Sequence, residues 1–298
     1  MSSALPVLAL ALTAILLTAV LPRVLPGITS LRRTPGAALA LWQVVGAGGV
    51  LAALMTAPAA AIALATDGGT VPTFFDGTTR VSIAVVVASV MSGGMAFMLL
   101  VSAHQVGTDL RSHRRTQRNV VDVVATQSDG RVRVVDLPER SAYCLPGLRS
   151  RVVLTRGTVE ALDDEQLEAV LAHERAHTGA RHDLMLEFFT VLHRTVPSPI
   201  RSDAALREVQ LLVELLADRH AVRRVGAKPL GGALAAMSGT PHPPASLGSV
   251  GGANDVVVRI RALPDHQRTV HPTTLPVMLA TTLVGMAPWV LLVWAFWA

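Results

Sequence analysis

The sequence predicts a multi-pass α-helical membrane protein with one water-facing α+β domain between its third and fourth spans. Three observations predict it. Hydrophobic residues make up 51% of the 298-residue chain and charged residues only 16%, a balance typical of membrane proteins. Four stretches, about 4–22, 36–66, 81–102 and 275–297, contain no charged side chain, and each is long enough to cross the ~30 Å hydrocarbon core of a bilayer. All the glutamates lie between Glu139 and Glu214, in the segment that separates the third stretch from the fourth.

The first stretch has the apolar length of a secretory signal. Met1-Ser2-Ser3 before it carries no positive charge, however, and no small-residue cleavage site follows, so a retained span is expected. The second is rich in glycine (Gly46, Gly48, Gly49), which permits close helix packing. Arg23, Arg32 and Arg33 follow the first span, and Arg111, Arg114, Arg115 and Arg118 follow the third. The 67–80 loop has two aspartates and one arginine. Excess arginine marks the cytoplasmic side, so the expected topology puts the N-terminus outside and the domain inside the plasma membrane. Trp289, Trp294 and Trp297 near the end of the fourth span suit a membrane interface. The expected division is 1–103 for three spans, 104–270 for the cytoplasmic domain and 271–298 for the last span.

The net charge of +5 does not point to nucleic acid, because the arginines are dispersed and the single tyrosine leaves no row of stacking aromatics among them. One cysteine, Cys144, excludes an intramolecular disulfide and a cysteine-rich metal site. It is read as a small strand residue. The bilayer and a protein substrate are the expected partners.

Within the domain, Val120–Val124 reads as strand-like, and Ser128-Asp129-Gly130 as a turn. Arg131-Val132-Arg133-Val134-Val135 alternates with period two. Short strands are expected at 141–145 and 151–155, with Pro146-Gly147 turning between them. Asp163, with Gln166 three residues on, is a capping box that starts a helix through His177. A second apolar helix, 183–193, is too short to span; it reads as domain core, with a place near the membrane surface as the alternative. Ser202 or Asp203 caps a long helix to Arg224, the 239–252 segment reads as a loop, and 256–263 as a short helix.

The chemistry concentrates at His173-Glu174-Arg175-Ala176-His177, an H-E-x-x-H motif. On a helix, residues four apart share a face, so both imidazoles can hold one zinc ion. Glu174 then stands beside the metal as general base for water that the metal acidifies. A catalytic zinc needs a third protein ligand. His182 is one residue early for an H-E-x-x-H-x-x-G-x-x-H pattern, because positions 180 and 183 are Ala and Asp. Glu214 is the stronger candidate. It and Asp218 are four apart in a run of leucines, alanines and valines, where an acid is costly unless paired or bound to metal. Glu214 is read as the third ligand, with pairing to Arg207 as the alternative, and Asp218 as hydrogen-bond acceptor for a ligand histidine. Tyr143, His220 and nearby arginines are candidate oxyanion donors, among which the sequence does not choose.

The run Leu162 to Glu174 resembles the active-site helix of membrane-embedded gluzincin metallopeptidases, both the BlaR/MecR-type antibiotic sensor-transducers and the HtpX-type quality-control proteases. The Glu214-x-x-x-Asp218 spacing and the strand-turn Ser141 to Gly147 are similar in both groups. The resemblance implies a cytoplasmic zincin-like (gluzincin) metallopeptidase domain with His173, His177 and Glu214 on one zinc, Glu174 as base and Asp218 behind the ligands. Arg181-His182-Asp183 is shifted from the usual pattern, which leaves Asp183 without an implied role. The arrangement of spans looks like the transducer half of a BlaR/MecR-type protein without an external sensor domain. That implies a cytoplasmic protein substrate such as a BlaI/MecI-like transcriptional repressor. The alternatives are quality-control proteolysis and a non-catalytic zinc scaffold, although a scaffold would not need Glu174. The absence of charge within the four spans argues against a transporter.

Overall fold

Among the described residues, four helices are long and apolar enough to cross a membrane: Leu5–Gly27, Pro35–Ala65, Ser82–Val124 and Thr274–Ala295. The computed structural model describes residues 4–66, 77–145, 150–238, 253–266 and 271–297. The first span starts as α1 (Ala4–Ile15), widens into a π-helical turn at Leu16–Val20, and ends in α2 (Leu21–Val24). The long α3 (Pro35–Thr66) is the centre of the bundle, with α1, α4 (Gly77–Val124) and α11 (Thr274–Trp297) packed around it. Gly49 sets the closest approach of α3 to the first span: a Cβ there would lie 2.8 Å from Thr18 Cγ2 and 3.2 Å from Leu17 Cβ. Apolar side chains such as Val90, Leu100 and Leu283 point outward, as spans that face lipid require.

The helix of the third span continues past residue 102. This helix, α4 (Gly77–Val124), runs unbroken for 48 residues, or roughly 72 Å at 1.5 Å per residue. The arginine-rich segment extends as a helical arm beyond the apolar part. Val120–Val124 belongs to this helix and not to a strand. In a strand Val121 and Val123 would share a face; here Val121 is 4% exposed and Val123 is 84% exposed, which is the helical outcome.

A four-stranded sheet follows: β1 (Ala125–Asp129), β2 (Val132–Val135), β3 (Ala142–Leu145) and β4 (Arg151–Thr155), in the order β1-β2-β4-β3. β1 and β2 form an antiparallel hairpin, β2 and β4 pair in parallel, and β3 runs antiparallel to β4 as an edge strand. The hairpin turns at Gly130, which has φ +52°, so Ser128 and Asp129 lie in β1 rather than in the turn. The expected Pro146-Gly147 turn and the 239–252 loop lie outside the described residues. After β4, α5 (Arg156–Ala161) starts in close contact with the preceding loop. A Cβ on Gly157 would overlap the Pro138 carbonyl, and the Gly157 N–H donates to Leu137 O at 3.0 Å.

The remaining helices of the domain are α6 (Asp164–Gly179), α7 (His182–Thr195), α8 (Asp203–Val225), α9 (Ala227–Ala236) and α10 (Ala253–His266). The Asp163–Gln166 capping box starts α6, and the Ser202 hydroxyl, accepting from Ala205 N, caps α8. One apolar cluster joins the bundle to the domain. Leu39, Trp42 and Val45 of α3 pack with Phe189 of α7 and with Val209, Leu212, Val213 and Leu215 of α8. Arg32, in the loop before α3, grips Glu208 of α8 through two contacts of 2.9 and 2.6 Å. Ser202 Oγ donates to Pro22 O at 2.9 Å. α8 is therefore fixed to the helical bundle along one face, through Glu208 among others, and presents Glu214 and Asp218 on another.

Candidate metal centre

α6 and α8 cross against each other and supply all three candidate ligands. His173 and His177 are one turn apart on α6, and their Nε2 atoms are 3.1 Å from each other. Glu214, from α8, places Oε2 3.3 Å from His173 Nε2 and Oε1 3.4 Å from His177 Nε2. Ligand atoms of the three lie within 4.8 Å of one another, and all three residues are buried. Ligands about 2.0–2.1 Å from a tetrahedral zinc are separated by about 3.3–3.5 Å, so the spacing fits that ion with one position left open. Glu214 pairs with Arg259 rather than with Arg207: Arg259 Nη1 is 3.0 Å from Glu214 Oε2.

Asp218, one turn along α8, is fully buried, and its Oδ1 lies 2.9 Å from His173 Nδ1, off the axis of an ideal N–H···O bond. Arg259 of α10 grips the same carboxylate as a fork, Nε donating to Oδ2 at 2.8 Å and Nη2 to Oδ1 at 2.7 Å. A buried pair of acids thus faces a buried guanidinium. The sequence reading missed Arg259. The available signal was that two acids on an apolar helix face require a cation, but Arg259 is 41 residues beyond Asp218.

The Glu174 carboxylate accepts from the backbone N–H of Cys144 in edge strand β3, and its Oε2 is buried without a partner among the described residues. Burial raises its carboxyl and Glu214 adds to the rise. His173, Arg259 and the Cys144 N–H pull the other way, and it settles at about 7. A carboxyl near neutrality with one free oxygen suits a general base. Burial lowers His173, but Asp218 and Glu214 outweigh it and hold the imidazolium up to about 10. For His177 burial dominates and lowers the ring to about 3. Burial also raises Glu214, yet Arg259 and the two histidines hold it at about 2. Four buried ionisable groups of opposed tendencies around one point form the electrostatic signature of a functional centre.

A cavity of about 70 Å³ adjoins these groups, lined by Ala142, Val170, His173, Glu174, Glu214 and Arg259 and covered by Leu230, Leu234 and Met237 of the α9 region and Val256 of α10. It has room for a few waters and not for a peptide. Neither Tyr143 nor His220 lines it. Tyr143 faces the other side of the sheet, beside Val121, Val135 and Val153, and His220 lines a separate surface hollow with Arg175 and Arg224. Asp183 meets Arg114 of α4 at 3.4 Å, away from the ligands. His182 stands directly behind His177, with its Nδ1 3.1 Å from His177 Nδ1.

Residues 107–216 match the family profile of Peptidase family M48. The match starts within α4, covers the sheet, α6, α7 and Glu214, and supports a metallopeptidase of membrane type. No curated protein and no solved structure matches the chain.

Proposed function

We propose that this chain is an integral-membrane zinc metalloendopeptidase that cleaves a cytoplasmic regulatory protein, in the manner of a repressor-cleaving signal transducer. The observation that carries the peptidase reading is the convergence of buried His173, His177 and Glu214 beside Glu174, whose Oε2 has no partner among the described residues. His173, His177 and Glu214 would hold the metal, which when bound supplies a Lewis acid that polarises the scissile carbonyl and acidifies a water. Glu174 takes the proton from that water at Oε2 and returns it to the departing amine. Asp218 and Arg259 hold His173 and Glu214 in place. Edge strand β3 offers its open side to an extended substrate segment, with Ala142 leading into the cavity. Substrate entry on this reading requires α9 to withdraw while Arg259 keeps its hold on the two acids.

The contacts of the 23–34 loop support a single-sided arrangement. That loop binds α8 through Arg32, as the placement of both basic segments on the cytoplasmic face requires. The test compares cellular proteomes carrying the wild-type protein and the Glu174→Gln protein. A single transcriptional regulator shortened only with wild type is the expected result. Many shortened membrane proteins would assign the same site to quality control, and identical proteomes would contradict the peptidase reading.

A further inference from the structure

Two histidines approach the proposed metal from α6, and what stands behind them differs. Behind His173 is a carboxylate, Asp218 Oδ1, at 2.9 Å from Nδ1. Behind His177 is another imidazole: His182 Nδ1 lies 3.1 Å from His177 Nδ1, the rings are 86° apart, and both residues are fully buried. Ligation through His177 Nε2 leaves the ring proton on Nδ1, and among the described residues the hydrogen-bond partner at that nitrogen is His182 Nδ1. A neutral imidazole accepts at one nitrogen only. His182 must then be the tautomer that is bare at Nδ1 and protonated at Nε2.

From this geometry we infer that His182 is a positioning residue for the metal centre: as a neutral acceptor, it fixes the tautomer and ring orientation of His177. The inference rests on the metallopeptidase reading of the same site. Two further observations support it. The first is the cost of the arrangement. His182 Nε2 is buried with no partner among the described residues, so its N–H is an orphan donor there that an apolar residue would not create. Arg181 adopts φ 50°, ψ 44°, a left-handed conformation unfavourable for a non-glycine residue, and this turn brings the first residue of α7 back beside α6. The second is charge. Glu174, Glu214 and Asp218 already crowd the centre, with Asp183 next to His182 in sequence. A carboxylate behind His177 would add a further buried negative charge, whereas an imidazole accepts the hydrogen bond without one.

The test measures zinc affinity of the full chain in detergent by chelator competition, together with the melting temperature of the metal-free protein. His182→Leu removes the acceptor and the orphan donor together. Zinc affinity is expected to fall 10–100-fold, with metal-free melting unchanged or higher. His182→Asn restores an acceptor near the Nδ1 position, and affinity within threefold of wild type is expected. A His182→Leu protein that binds zinc as tightly as wild type overturns the inference. Should that variant fail to fold, the wild-type protein decides. With zinc bound and histidine labelled with ¹⁵N, an N–N coupling across the His177–His182 bond supports the inference. A His177 ring proton that shows no such coupling and exchanges freely with water overturns it. Wild-type protein that binds no zinc would instead sink the metal-centre reading itself.

Discussion

Replacing Arg259 by methionine keeps most of the side-chain volume and removes the guanidinium that contacts both buried acids. The guanidinium makes two hydrogen bonds to Asp218, at 2.8 and 2.7 Å, and a 3.0 Å contact to Glu214. Each charge-assisted bond contributes about 1.5–3 kcal/mol, and breaking a buried pair by removing one partner costs about 3–5 kcal/mol. Arg259 is 13% exposed and Asp218 is fully buried, so little of this is lost to solvent screening. The metal-free Arg259→Met protein should therefore lose about 3–5 kcal/mol of stability. Zinc changes the balance, because it restores positive charge beside Glu214. The gap between wild type and variant should narrow when zinc saturates both, and linkage then requires the variant to bind zinc more tightly than wild type does. Unfolding of the detergent-solubilised chain, with chelator and with excess zinc, measures both quantities. A metal-free loss below about 1 kcal/mol, or a gap that zinc widens, would refute the role assigned to Arg259.

Zinc affinity should also depend on pH in a defined direction. His173 is raised from its ordinary 6.5 to about 10 in the metal-free fold, so the stability it contributes is complete below 6.5 and lost as pH rises through 10. Zinc must displace that proton, and affinity should rise about tenfold per pH unit from pH 7.5 to 9.5, with roughly one proton released per zinc by calorimetry in buffers of different ionisation enthalpy. A flat profile would mean that His173 is already neutral. Gly157→Ala tests the fold at the sheet-to-helix junction. Its Cβ would overlap the Pro138 carbonyl and crowd Glu139 O at 3.1 Å, so a loss of at least about 1–3 kcal/mol is expected in thermal unfolding, and an unchanged melting temperature would contradict the packing described.

The parts of this protein legible in the sequence were those fixed by local periodicity. His173 and His177 share a face because four residues make about one helical turn, and the same spacing brings Glu214 and Asp218 together. The apolar stretches were legible through length and lack of charge. What escaped was decided by tertiary contacts. Val120–Val124 is rich in β-branched residues and resembles a strand, yet α4 carries through it, because only Val121 packs inward against Val135, Leu145 and Val153. Arg259 is one of many arginines, and nothing local distinguishes it until α10 folds over α8. His182 reads as a ligand in the wrong register. Its position behind His177 depends on the left-handed Arg181, a backbone state that sequence pattern does not signal.

The central claim is a zinc ion held by His173, His177 and Glu214 with Glu174 as the base beside it. The most direct measurement is the zinc stoichiometry of the purified full chain in wild-type and Glu174→Gln forms, read together with hydrolysis of a peptide library. The account predicts one zinc per chain in both proteins and cleavage by wild type alone, with the variant slower by about 10²–10⁴-fold or more. Cleavage by the Glu174→Gln protein at the wild-type rate, or wild-type cleavage that survives complete removal of zinc, would contradict it.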